Sequence, residues 1–170
     1  MEQKIVNSGQ FEDVLEINDH YYIISKKDRI GVIPYTISTN GIIDKIGIVN
    51  DFNILKRKTE YTILYDYVNT DDISDLNGAN RILKMYTNVN IKDASKWMYL
   101  GNLFYSIATD SPIKLYCVDI SNIDFNNIKI NNKKDFQLID VENIIASEDA
   151  ILIAGYTRIF NMFYVQTINQ

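Results

Sequence analysis

Histidine, cysteine and proline are almost missing from this chain. Its 170 residues hold one His, one Cys and two Pro. A single thiol, Cys117, excludes an internal disulfide. It lies in the apolar run 115–118, which makes it a buried, inert side chain. A nucleophile would want a nearby base. His20 stands beside Asp19, ahead of a strand. With no second histidine it reads as a structural or solvent-exposed residue and not as a metal ligand. Positive charge is also short: 17 Lys and Arg face 22 Asp and Glu, for a net charge of -5. That balance argues against a dedicated nucleic-acid binder, which shows a basic face. The longest basic run, Lys56-Arg57-Lys58, reads as a solvated loop. No apolar run is long enough to cross a bilayer, and no signal peptide opens the chain. No membrane partner is expected, and the place of work is inside a cell or in a particle assembled there.

What is abundant is Ile, Asn, Lys and Tyr, with Gly and Ala scarce. This bias fits an AT-rich coding sequence, as many phages and some bacterial groups have. Hydrophobic residues make up 46%, ordinary for a globular protein. The length suits one domain with a real core. No internal repeat or linker divides residues 1–170, and residues 1–10 read as a loose arm.

The chain is organised around residues 71–119. Leu76, Ala79, Leu83 and Tyr86 recur at helical spacing and predict a helix over 75–87, with Asp75 as its N-cap. Residues 97–106 and 113–120 are rich in aromatic and β-branched side chains and predict strands, with a turn at Asp110-Ser111-Pro112. Before this stretch, 11–17 reads as a short helix or edge strand and 21–25 as a strand. Lys26-Lys27-Asp28 reads as a hairpin turn into a strand over 29–39. Pro34 suggests an edge position or bulge there. Asn40-Gly41 signals a type I′ turn into 42–49. Residues 50–59 read as a polar loop and 60–68 as one strand. After the central stretch, 121–134 reads as a loop with an extended piece at 128–130, and 136–141 as a last strand. Ser147 predicts the N-cap of a helix over 148–165 that is apolar nearly all round and so buried on more than one side. Expected core residues are Leu83, Trp97, Leu115, Val118 and Ile153. The element order favours an α/β fold, a mixed sheet covered by helices on both faces.

Three segments carry a resemblance to a known family. They are Gly31-Val32-Ile33-Pro34-Tyr35-Thr36, then Ala79-Asn80-Arg81-Ile82-Leu83 followed by Lys96-Trp97-Met98-Tyr99-Leu100-Gly101, and Glu148-Asp149-Ala150. Together they resemble the Nudix domain, across roughly residues 29–163. The resemblance implies a Nudix-like α/β/α sandwich with a mixed β-sheet. In that family an Arg-Glu-apolar-x-Glu-Glu-x-Gly helix holds Mg²⁺ against a diphosphate. Setting Arg81 on the family's arginine puts Ile82 on the first glutamate and Met85 and Tyr86 on the two metal-binding glutamates. Asn88 takes the glycine position and Val89 the apolar one. Ile73 falls on the outlying glutamate and Tyr67 on the first glycine. Mg²⁺ wants hard oxygen ligands, which Ile, Met and Tyr do not supply.

The expectation is therefore a non-catalytic Nudix-like module with no catalytic residues, no metal and no cofactor. Its partners would be other protein subunits of a larger assembly, most specifically a tailed-phage virion (neck, tail or baseplate). Tyr156, Phe160, Phe163 and Tyr164 on the last helix are the interface candidates. Two alternatives stay open. One is a divergent pyrophosphohydrolase of nucleoside-diphosphate derivatives with a relocated metal site at Asp71, Asp72 and Asp75, with Asp93 nearby. The blander reading of those acids is a turn and an N-cap. The other is a nucleotide-binding sensor that keeps a pocket without cleaving.

Overall fold

The computed structural model describes residues 3–53, 57–104, 110–125, 135–144 and 146–168. Ten strands and two α-helices follow in order among them. They are β1 (Gln3–Ser8), β2 (Glu12–Ile17), β3 (His20–Ser25), β4 (Arg29–Ile37), β5 (Ile43–Asn53), β6 (Lys58–Thr62) and β7 (Leu64–Tyr67), then α1 (Asp75–Thr87), β8 (Trp97–Leu103), β9 (Ile113–Asp119), β10 (Phe136–Asp140) and α2 (Ala150–Ile168). Strands β1-β2-β3 form a small antiparallel sheet. The main sheet runs β10-β5-β4-β9-β8, with β6 added to β5 and β7 to β4. It is mixed, because β4 and β9 are parallel while its other pairs are antiparallel.

Side chains alternate across β4 as the pleat requires. Ile30 and Val32 join a buried cluster with Ala79, Ile82, Leu83 and Tyr86 of α1. Ile33 and Tyr35 join the opposite cluster with Ile151, Leu152 and Ile159 of α2. The expected α/β/α sandwich is thus present. Leu83, Leu115 and Val118 are fully buried, as the sequence predicts. Trp97 is half-buried and packs beside the α1 cluster, its indole N–H donating to the Ile91 carbonyl at 3.0 Å. Ile153 departs from expectation and stands substantially exposed.

Several local expectations need correction. The arm 1–10 is in part β1, paired with β2, and β2 is the centre of its sheet rather than a helix or an edge. The hairpin turn lies at Asn18-Asp19, where both φ angles are positive (50° and 62°), and not at 26–28. Those residues instead carry the chain between the two sheets, since β3 and β4 do not pair. Pro34 sits in the central strand. Residues 29–32 of β4 pair with β7 and residues 35–37 with β5. Pro34 falls in the gap between these two partners, where a missing N–H breaks no ladder bond. At Asn40-Gly41 only Gly41 has positive φ (77°), and its N–H bonds the Ser38 carbonyl at 2.9 Å. This is a type I turn closed by a left-handed glycine, not a type I′ turn. The polar loop 50–59 is mostly strand, β5 continuing to Asn53 and β6 starting at Lys58. Residues 60–68 split into β6 and β7 at Ile63, which is fully buried. The extended piece at 128–130 lies outside the described residues.

Helix α1 has the predicted bounds, but Ser74 is its cap, the hydroxyl accepting from the Asn77 N–H at 3.2 Å. Helix α2 starts at Ala150, and Asp149 caps it by accepting from the Ile151 and Leu152 N–H groups at 2.8 and 3.0 Å. Ser147 supports that cap by accepting from the Asp149 N–H at 3.1 Å. Only one face of α2 is buried on the sheet, through Ile151, Leu152, Gly155 and Ile159. Gly155 permits the close approach. A Cβ there would lie within contact distance of Ile33 Cδ1 and 2.8 Å from Leu115 Cδ2.

A Gly155→Val variant should therefore lose about 1–3 kcal/mol of stability through overpacking. Urea denaturation of variant and wild type checks this.

Candidate functional site

Helix α1 carries the positions that the Nudix resemblance marks. Ile82 is fully buried and Tyr86 nearly so, both in the apolar cluster beneath the sheet. Met85 is half-buried against the same cluster. The Tyr86 hydroxyl donates to the Tyr65 carbonyl at 3.1 Å. Burial, above all, pushes its pKa up to about 12, so it stays a neutral phenol at physiological pH. Two positions match their assigned geometry. Asn88 stands at the glycine position with φ of 60°, the left-handed conformation that Gly and Asn adopt most readily. Val89 is buried at the apolar one. Ile73, at the outlying glutamate, is 93% exposed. Tyr67, at the first glycine, stacks on Phe11 with ring centroids 4.4 Å apart. It thereby joins the small sheet to the main one.

Arg81 is held by three groups. Its Nε and Nη2 both donate to the Asp72 carboxylate at 3.0 Å. Nη1 reaches Asp66 at 2.9 Å and Nη2 the Tyr67 carbonyl at 2.8 Å. The side chain of Asp72 is 5% exposed. The guanidinium bonded to it is the main reason its pKa lies below the usual carboxylate value. Asp75 faces Lys114 at 3.1 Å, and Lys114 also pairs with Asp28 at 2.8 Å. Asp71 is exposed, and Asp93 caps its own short turn through the Ser95 N–H at 2.9 Å. Asp71, Asp72 and Asp75 therefore do not assemble into one site. Among the described residues, no three His, Cys, Asp or Glu side chains converge closely enough to hold a metal ion.

A cleft of about 500 Å³ opens between β5, β6 and the start of α2. Asp51, Glu60, Glu148 and Asp149 line it, together with Tyr61 and Tyr65. It adjoins the α1 box through Tyr65, whose carbonyl takes the Tyr86 hydroxyl. Lys58 bridges Glu148 at 2.6 Å and Glu60 at 3.4 Å. Asp149 is committed to the α2 cap and to the Thr62 hydroxyl. The resemblance segment Glu148-Asp149-Ala150 leads to one wall of this cleft. Its other walls come from residues 51–65 and from Leu103 and Phe104, far away in the chain, which no local pattern connects to it.

The remaining candidates are placed as follows. Cys117 is buried, and desolvation raises its pKa to about 12. The reactive thiolate is thus strongly disfavoured. His20 is exposed at the hairpin turn, bonded through Nδ1 to the Asn18 carbonyl at 2.8 Å. On α2, Phe163 packs edge-on against Tyr35, with ring centroids 5.5 Å apart. Tyr156, Phe160 and Tyr164 form a ladder with centroid spacings of 6.3 and 6.0 Å. Phe160 and Tyr164 are 47% and 57% exposed.

No protein-family model matches the chain, and no curated protein sequence does. Solved structures do. An ADP compounds hydrolase superposes with a TM-score of 0.64 at 12% identity, covering 98% of this chain and 94% of that one. The Nudix hydrolase RenU from M. smegmatis gives 0.60 at 8% identity, with 92% and 96% covered. The C-terminal domain of mouse MUTYH, in complex with human PCNA, gives 0.55 at 7% identity, with 85% and 91% covered. The chain has the Nudix fold.

Replacing Arg81 by Met should strand the Asp72 carboxylate and cost about 2–3 kcal/mol at pH 7. Asp72 has a depressed folded-state pKa, so its contribution is present above pH ~4 and fades as pH falls through the folded value. The gap between wild type and Arg81→Met should therefore narrow at pH 3, as read by urea titration at both pH values.

Proposed function

We propose that this chain is a Nudix-fold module that binds rather than hydrolyses, working as a subunit of a larger protein assembly. One observation carries the reading. Where the resemblance calls for metal-holding carboxylates, α1 presents Ile82, Met85 and Tyr86, and Ile82 and Tyr86 are buried in the apolar core. A hard divalent ion finds no ligand there. The aromatic ladder Tyr156, Phe160 and Tyr164 supports the assembly role, because large exposed aromatic surfaces mark contact sites. The MUTYH domain, crystallised with PCNA, is a neighbour of the same fold with a protein partner. The composition typical of AT-rich genes supports a phage particle as the assembly.

A second reading, a divergent pyrophosphohydrolase, is favoured by the ADP compounds hydrolase neighbour and by the four carboxylates around the cleft. Those carboxylates would have to gather a divalent ion. As placed, they line the cleft without converging, and two of them are tied to Lys58. They do not fit a metal centre in this arrangement.

The purified protein should show no turnover of ADP-ribose, diadenosine polyphosphates or nucleoside triphosphates with Mg²⁺ or Mn²⁺. Turnover that vanishes in Asp51→Asn or Asp72→Asn would establish the hydrolase instead. In virions of a source phage the protein should occur at fixed stoichiometry. Its absence from particles, with a stable monomer in solution, would contradict the assembly role.

A further inference from the structure

A second cleft, of about 380 Å³, opens between α1 and the segment that leads into β8. Its apolar lining comes from Leu76 of α1, Ile91 and the half-buried indole of Trp97. The Trp97 N–H is spent on the Ile91 carbonyl at 3.0 Å. The ring is thus fixed in place and offers the cleft no donor.

The polar lining is one-sided, and hydrogen bonds make it so. Three carboxamides stand there, and each oxygen is already taken. Asn80 Oδ1 accepts from the Ile91 backbone N–H at 3.0 Å. Asn90 Oδ1 accepts from Asn80 Nδ2 at 2.6 Å. Asn77 Oδ1 accepts from the Ser74 hydroxyl at 2.7 Å. A turned-over Asn80 would set its NH₂ against the Ile91 N–H, so the backbone fixes Asn80 and Asn80 fixes Asn90. Among the described residues, the NH₂ groups of Asn77 and Asn90 keep unused donors, and Lys92 beside them has no acidic partner. Its neighbour Asp93 is turned to Ser95, accepting from the N–H at 2.9 Å and the hydroxyl at 2.7 Å. Although the chain carries 22 Asp and Glu, no acid lines this cleft among the described residues.

Donors around one ammonium, with every carboxamide oxygen occupied, match a group that only accepts and is negative: an oxyanion. One lysine offsets one charge, and the net charge of -5 repels more. A carboxylate therefore fits better than a phosphate dianion. The indole, Leu76 and Ile91 suit a flat apolar body behind that group. The volume lies near the lower end for small-molecule sites, about 300–1,000 Å³, which suits a single-ring compound.

We infer that this cleft binds a small aromatic carboxylate, its charge held by Lys92 and the free carboxamide donors and its ring laid against Trp97. The site goes beyond the assembly role and does not depend on it. Asn80 is its positioning residue, because it orients Asn90 and ties the 90–91 backbone to α1.

Trp97 is the sole tryptophan, so its fluorescence in the full chain reports on this cleft. Three probes of similar size test the inference: benzoate, its uncharged counterpart benzamide, and phenyl phosphate. Benzoate should change the emission saturably and bind about tenfold tighter than benzamide, a difference of about 1.4 kcal/mol. High salt should weaken benzoate and leave benzamide unchanged. Phenyl phosphate should bind more weakly than benzoate. In Lys92→Gln the preference for benzoate over benzamide should be lost, at an unchanged melting temperature, because Lys92 is exposed. Lys4→Gln, on the small sheet, should behave as wild type. No saturable change with benzoate overturns the inference, as do equal affinities for benzoate and benzamide. So does tighter binding of phenyl phosphate, or benzoate affinity that is the same in wild type and Lys92→Gln. The comparison of the three probes on wild type decides the matter even where a variant fails to fold.

Discussion

Strand β4 has no face turned to water, and the rest of the domain is arranged to keep it so. Its residues from Arg29 to Tyr35 are all buried. On one edge it pairs in parallel with β9 along seven residues. On the other, β7 and β5 share its length. Parallel neighbours need a long crossover, and the chain between β4 and β9 uses it to lay α1 over one face. The opposite face is left for α2, whose Gly155 allows the helix to sit against Ile33 and Leu115. Each buried aliphatic side chain contributes about 1.5–3 kcal/mol, so the two apolar clusters between sheet and helices stabilise the fold strongly.

That constraint bears directly on function. The helix face that covers β4 is built from Ala79, Ile82, Leu83 and Tyr86. Two of these stand where the Nudix signature places glutamates. A carboxylate at Ile82 would be buried inside an apolar cluster, at a cost of several kcal/mol. This chain therefore uses α1 as core. Four carboxylates line the cleft between β5, β6 and α2 instead. Arg81 keeps a structural task, binding Asp72, Asp66 and the Tyr67 carbonyl to fix the segment that enters the helix.

Periodic, locally capped segments were legible in the sequence. The bounds of α1, the strands β4, β8, β9 and β10 and the sandwich itself follow from apolar spacing. Asn88 adopts the left-handed conformation that suits a glycine, at the position where the resemblance calls for one. Elements whose signal lies in tertiary pairing were hidden. The Asn18-Asp19 hairpin lacks the glycine that usually announces such a turn. Strand β1 has a polar, irregular pattern because residues 4–8 are exposed, whereas β3 was legible at 21–25. The break at Ile63 looks like continuous strand, since both pieces are β-rich. The cleft was invisible, because Asp51 and Glu60 meet Glu148 only after folding. Helix α2 shows how composition misleads: apolar all round, it buries one face and leaves an aromatic ladder on another.

The central proposal is that the α1 positions resembling the Nudix signature serve as core and hold no divalent ion. Titration of the isotopically labelled protein with Mn²⁺, followed by paramagnetic broadening of backbone amide signals, tests it most directly. The account predicts no saturable broadening of the amides of residues 82–89 at concentrations that fill a working Nudix metal site. Saturable broadening centred on Met85 and Tyr86 would contradict it.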